Sequence, residues 1–320
     1  MLAKLQVRTE DEATRLTVTP DEAELLYTSD EKQLYIGDGT TVGGILVTDT
    51  PFIREDMTLN VPADYSDINE ALDFLSAFRI SNNATVTIDV ANGTYVYTET
   101  ILVNHPDAAF IRIVGNETTP SSCVLWNPIA EAVVQVKGVS LGYLSGFKIV
   151  GEDDQVNHPY SGTVNRMGLE VESNGGSEVG SLEVIYCYNG VNVKQNSFAN
   201  IDVLKGTNCS VFAVYVSNCS SVRMITSCDI QDNTYGIAAG TNSYLVANTA
   251  GMVIKNSTQI GAHANYNSTV DVSGATITGN GARDINVQNN SFIAAHGTTF
   301  STSMPAPNVA GADNTLLITA

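Results

Sequence analysis

Six variants of one heptapeptide decide the fold: Leu169–Gly175 (LEVESNG), Val191–Ser197 (VNVKQNS), Ala213–Cys219 (AVYVSNC), Ile237–Ser243 (IAAGTNS), Ala262–Ser268 (AHANYNS) and Ile285–Ser291 (INVQNNS). Their asparagines, Asn174, Asn196, Asn218, Asn242, Asn267 and Asn290, recur with a near-constant period of about 23 residues, which is the mark of a stacked repeat. The first and third residues of each heptapeptide are small or apolar, as in the pairs Leu169/Val171, Val191/Val193, Ala213/Tyr215 and Ile285/Val287. A spacing of two puts both members on one face of a strand, and the longer recurrence returns that strand one coil higher. Ile230, Ile254, Ile277 and Phe300 repeat with the same period, which predicts a second inward stack in the same coils.

The coils have no helical periodicity, which excludes leucine-rich and ankyrin solenoids, and no apolar residue every six positions, which excludes hexapeptide left-handed helices. The prediction is all-β, a right-handed parallel β-helix. The asparagines are expected at left-handed turns, with their side chains bonded to the asparagines above and below. The residues between each pair, Glu170, Asn192, Val214, Ala238, His263 and Asn286, are expected to point outward. Cys187 and Cys209 stand one period apart and are expected to stack as a packing contact.

Working outward, the composition fits stacked strands: hydrophobic residues make up 43% and charged ones 15%, and Asn, Ser, Thr and Gly supply the polarity. A net charge of −19 repels phosphate backbones and anionic lipid, so nucleic acid is excluded as a partner. Membrane insertion is excluded too, because no apolar run approaches the ~18 residues a span needs. The N-terminus, MLAKLQVRTEDEATR, turns acidic where a secretory signal would turn apolar, which points to folding in a cytoplasm. The five cysteines form no CxxC pair and are expected as free, buried thiols. The four histidines are scattered, so no metal or cofactor is expected.

Four segments follow. Residues 1–50 are acidic and contain two alternating runs, AELLYT and QLYIGDG, joined at Ser29 and Asp30, which predicts a β-hairpin. Residues 51–63 carry prolines at both ends and are expected as a linker to the first strand. Residues 64–300 hold the solenoid. They open with a capping helix whose apolar face is Ile68, Ala71, Leu72, Leu75 and Phe78 and whose N-cap is Asp64 or Ser66. Such a helix covers the open end of the first coil. Residues 301–320 are expected as a last strand or tail.

Within residues 1–50, the order Thr19-Pro20, Glu24 before an apolar-Tyr pair, an acidic turn, Lys32, Leu34-Tyr35 and GDGTT resembles the N-terminal repeat of phage tail-fibre proteins. The helix, strand and GTY of residues 64–96 look like the opening of pectin-lyase-like β-helices. The first resemblance covers about 30 of the 320 residues. It implies a virion tail protein, assembled in the bacterial host cytoplasm and attached through its N-terminus to other phage tail or baseplate proteins. It also implies a homotrimer, although no C-terminal trimerising coiled coil is evident.

The step from Ile149 to Gly168 exceeds the matching step in later coils by roughly a dozen residues, and an insertion of that kind maps to a loop on one flank of a solenoid. The insertion, GEDDQVNHPYSGTVNRM, carries Glu152, Asp153, Asp154, His158, Tyr160 and Arg166. The carboxylates Glu152, Asp153 and Asp154 are the catalytic candidates: a pair held about 5 to 9 Å apart hydrolyses glycosides. They can equally hold Ca²⁺, hydrogen-bond a sugar, or form a solvated loop or subunit contact. His158, Tyr160 and Arg166, with Glu170, Glu172, Tyr186 and Tyr188 beside the loop, are the candidate glycan-binding residues. The Ca²⁺ and Arg constellation of pectate lyases is not matched, since Asp202, Arg223, Asp229 and Asp271 do not align between coils, so the resemblance carries the fold alone. The functional expectation is recognition of bacterial surface polysaccharide by the β-helix flank. A depolymerase and a purely architectural tail protein are the alternatives.

Overall fold

The computed structural model describes residues 7–47, 51–129, 131–151, 166–249, 251–301 and 316–318. Contacts divide the chain into two units, Met1–Phe52 and Ile53–Ala320.

In the first unit, Leu25–Thr28 and Leu34–Ile36 form the predicted hairpin, with Leu25 opposite Ile36 and Tyr27 opposite Leu34. Ile45–Leu46 adds an antiparallel strand on one side and Arg8–Glu10 a parallel strand on the other. At the end of the short helix Glu12–Arg15, the buried Arg15 guanidinium lies 3.9 Å over the ring of Tyr35. It donates to Glu12 and, over 2.7 Å, to the carbonyl of Gly43. Asp38, in GDGTT, accepts from the amides of Thr40 and Thr41 and the hydroxyl of Thr41, which hold its carboxyl well below the usual range. A side chain at Gly37 would meet the carbonyl of Asp21 at 2.0 Å. The motif residues therefore bind one another, which gives their order a structural cause.

The second unit is the predicted right-handed parallel β-helix, the hand that parallel crossovers take. One sheet has eight strands, one per coil: Ile101–Val103, Ala132–Lys137, Met167–Glu172, Asn189–Val193, Phe212–Val216, Tyr235–Ala239, Ile260–Ala264 and Arg283–Val287. All neighbours in it are parallel and in register. A longer sheet supplies the rest of each coil. In three coils one strand turns its corner unbroken (Gly176–Ile185, Phe198–Thr207, Ser221–Gln231), whereas later coils split it into short pairs such as Tyr244–Val246 and Gly251–Lys255. Leu316–Ile318 lies parallel to Phe292–Ala294.

The core is a set of columns. Val134, Leu169, Val191, Val214, Ile237, Ala262 and Ile285 stack one above another, each fully buried or nearly so. Ile149, Val184, Gly206, Ile230, Ile254, Ile277 and Phe300 form the second predicted stack. Cys187 and Cys209 are buried free thiols, whereas Cys219, expected buried, is exposed at a left-handed turn; the hydrogen bond and charge of Cys209, with burial, push the Cys187 thiol up. At one corner backbones nearly touch: a Cβ at Gly236 would lie 2.3 Å from the carbonyl of Gly261, and one at Gly261 2.6 Å from that of Asp284.

The heptapeptide at 213–219 is registered one residue later than its asparagine suggests. Val214 and Val216 point inward and Tyr215 outward, where Tyr215 was expected inward and Val214 outward; Ala213 is buried as expected, at the corner against Gly206. The cause is the turn. Each turn uses two consecutive left-handed residues, here Asn218 and Cys219, elsewhere Gln195 and Asn196 or Thr241 and Asn242. The residue after them is the ladder: the amide of Gly175 donates to the hydroxyl of Ser197, that of Ser197 to Ser220, Ser220 to Ser243, Ser243 to Ser268 and Ser268 to Ser291, over 3.1 or 3.2 Å. The turn asparagines are exposed, so the expected Asn-to-Asn ladder is replaced by a buried serine ladder.

The capping helix is Ile68–Leu75, with Ile68, Ala71 and Leu75 buried. Its N-cap is Asp67, not Asp64 or Ser66: Asp67 accepts from the amide of Glu70 over 3.0 Å, and Glu70 accepts in return from the amide and hydroxyl of Ser66. Asp64 instead closes the preceding turn on Asn60. The stretch 51–63, expected as a linker, already contains the first solenoid strand, Met57–Val61, in parallel register with Val86–Val90. Its Leu59 and Val61 are buried, and Pro62 follows the strand directly without preventing it.

Candidate functional site

The outer face of the eight-stranded sheet gathers the functional groups. Register aligns Gln135, Glu170, Asn192, Tyr215, Ala238, His263 and Asn286 in one outward column. Three positions before it, across the corner, stand Asn189, Phe212, Tyr235 and Arg283. Two positions after it stand Lys137 and Glu172, opposite one another, and Lys194, just past the end of the next strand.

The lower half of this face is a network of opposite charges and amides. The Nδ2 of Asn192 and the Nε2 of Gln135 each donate to Glu170 over 2.9 Å. Lys194 lies 2.8 Å from Glu170 and 3.1 Å from Glu172, and Lys137 lies 2.9 Å from Glu172. Burial alone would raise the carboxyl of Glu172, but hydrogen bonds and charge from Lys137 and Lys194 outweigh it and hold it below its ordinary value. Burial lowers Lys194, and the pull of Glu170 and Glu172 more than offsets that, so the ammonium titrates above its ordinary value. Both groups are ionised at neutral pH. Glu172 is therefore unsuited to act as a general acid, which needs a raised carboxyl.

The upper half is aromatic. Phe212 stacks on Tyr215 with ring centroids 4.8 Å apart and planes 12° from parallel, and sits 4.9 Å from Tyr235. Beyond it, the Nδ1 of His263 pairs with the Nδ2 of Asn286 at 2.9 Å, and burial pushes His263 down to about 4. His263, expected to point outward, is partly buried and bonded.

Of the predicted site residues, Glu170 and Glu172 lie within this face. Tyr188 adjoins it: its amide donates to the carbonyl of Arg166 over 2.6 Å, and its hydroxyl is close enough to raise Tyr215, after burial, electrostatically. Tyr186 sits at the preceding corner in a left-handed conformation. Glu152, Asp153, Asp154, His158 and Tyr160 lie outside the described residues. Phe212, Tyr215, Tyr235 and the lysines went unread as site residues. The signal for Phe212 and Tyr235 was their recurrence one period apart, hidden by the corner that breaks simple alternation. Among the described residues no cluster of His, Cys, Asp and Glu can hold a metal ion, and no helix is long and apolar enough to cross a membrane.

Neither a protein-family model nor a curated protein matches this sequence. Among solved structures, the catalytic domain of a GH87 alpha-1,3-glucanase in complex with nigerose overlaps 85% of this chain at a TM-score of 0.33 and 14% identity. The chain spans 57% of the length of that structure.

Proposed function

We propose that this protein is a tail-fibre or tailspike component of a bacterial virus that recognises host surface glycan on the outer face of its eight-stranded sheet. The observation that carries the reading is the junction on that face of a fixed hydrogen-bonding network with a stacked aromatic patch. The exposed Lys137 and the half-buried Gln135 and Lys194, held in place by the buried Glu170 and Glu172, offer polar groups that suit sugar hydroxyls. Phe212, Tyr215 and Tyr235 offer rings for the apolar C–H faces of a sugar. The N-terminal motif supports attachment to other tail proteins, and three solenoids side by side form the assembly.

Recognition without cleavage is the favoured activity, since Glu172, paired with Lys137 and Lys194 and held ionised, supplies no acid. The test is to incubate the protein with purified capsular polysaccharides and lipopolysaccharide O-chains from a panel of bacteria and follow both by size-exclusion chromatography. The expected result is co-elution with one polymer of unchanged length, lost in Tyr215→Ala and weakened in Glu170→Gln. Shortening of the polymer would replace this reading with a depolymerase. Absence of co-elution across strains known to bind the assembled virion would reject the glycan reading.

A further inference from the structure

A second outward column lies at the start of the long sheet. Along the solenoid it runs Gly176, Phe198, Ser221, Tyr244, Thr269 and Phe292, each in parallel register with the next. An aromatic ring stands on every second coil, with a small residue between. Phe198 and Tyr244 are 39% and 46% exposed. The Phe198 ring lies across Gly176, where a Cβ would come within 2.3 Å of it. Core packing does not call for this alternation, because the column faces outward.

Strands of neighbouring coils lie about 4.8 Å apart, so rings on alternate coils stand roughly 10 Å apart. Two sugar units of an extended polysaccharide cover a comparable length. Two positions further along the same face stand Glu178, Asn200 and Arg223, then Val246, Asp271 and Ala294. The Nδ2 of Asn200 donates to Glu178 over 2.8 Å, and that of Asn248 to Asp271 over 2.7 Å. Hydrogen-bonding groups thus flank the ring column from Glu178 to Arg223 and again at Asp271.

We propose that Phe198, Tyr244 and Phe292 form a track for an extended polysaccharide lying along the solenoid axis, every second sugar stacked on a ring and hydroxyls bonded to the polar groups at Glu178, Asn200, Arg223 and Asp271. The proposal rests on the glycan reading above but places a separate surface in contact with the chain. The rival occupant is a second copy of the protein. Against it stand the charged groups beside the rings, since the centre of a subunit interface is depleted in charge.

The test uses the intact protein, purified bacterial capsular polysaccharides and oligosaccharides cut from them by partial acid hydrolysis. Affinity is expected to rise with oligosaccharide length until the chain spans Phe198 to Phe292, four coils or roughly 19 Å. Phe198→Ala and Tyr244→Ala are each expected to weaken binding by about threefold to tenfold. Phe198→Tyr and Tyr244→Phe keep a ring in place and are expected to bind as the parent does, which separates stacking from misfolding. If the alanine variants bind like the parent while Tyr215→Ala fails, the track is wrong and the glycan reading stands. If the parent binds no polysaccharide, both fall. If the alanine variants instead lower the sedimentation mass at unchanged affinity, the column is a contact between copies and the inference is overturned.

Discussion

Replacing Val214 and Tyr215 each by Asp tests the register of the solenoid at its least regular coil. Val214 is fully buried between Val191 and Ile237, so Val214→Asp places a carboxylate among apolar side chains with no partner. A buried unpaired charge costs several kcal/mol, a large part of the roughly 5–15 kcal/mol that holds a domain folded. Tyr215 points outward beside Asn192 and Ala238, and Tyr215→Asp forfeits chiefly its stacking on Phe212, about 0.5–1.5 kcal/mol, and some half-buried ring area. The expected gap between the variants is therefore about 3 kcal/mol or more. Urea unfolding followed by far-ultraviolet circular dichroism measures it, as a difference in midpoint at similar slope. If Tyr215→Asp proves as damaging as Val214→Asp, Tyr215 is the inward residue and the column described here is wrong.

Ser243→Ala is expected to destabilise by about 1–3 kcal/mol, because it leaves the buried amide of Ser220 without its acceptor, and Ser243→Thr should recover much of the loss in the same urea measurement. Gly236→Ala should be damaging despite its small size, since its Cβ would meet the carbonyl of Gly261; soluble yield and thermal midpoint close to the parent's would refute that contact. His263, pushed by burial from 6.5 to about 4, resists protonation when folded while the unfolded chain accepts it. Stability should thus be intact above pH 6.5 and fall between pH 6.5 and 4, by about 3 kcal/mol at its limit. His263→Gln should flatten that part of the stability–pH curve, and a curve identical to the parent's would remove His263 as its cause.

The coil was legible because two periods coincide. Leu169/Val171 and Ile285/Val287 alternate as a strand does, and such pairs return once per repeat as a coil must. Legibility failed at Ala213–Cys219, where every residue from Phe212 to Val216 is apolar or aromatic and either alternation satisfies a strand. The asparagine then seemed the fixed point. What recurs physically is the pair of left-handed residues followed by serine, and Asn–Cys meets that need as well as Gln–Asn does. Glu170 and Asn192 were readable as outward from the same alternation. The aromatic half of the face was not, because Phe212 and Tyr235 reach it across a corner where residues three apart share a side. Nor does sequence reveal that Lys194 bridges two carboxylates, which depends on the register between strands of successive coils.

The three strands that turn their corner unbroken have a mechanical consequence. A coil in a solenoid touches only its neighbours, so the stack yields at its weakest junction and opens from there. Gly176–Ile185, Phe198–Thr207 and Ser221–Gln231 are each 10 or 11 residues long and share long ladders, whereas the coils after them are joined through strands of 2 to 5 residues in that sheet. The middle of the solenoid is thus a stiff rod and its far end a compliant tip. A pull on the tip would unravel terminal coils singly while the central three stayed wound, and faster amide exchange in the centre than at the tip would contradict this ranking. The network of Glu170, Asn192 and Tyr215 lies on the rod, so its geometry is insulated from strain at the end.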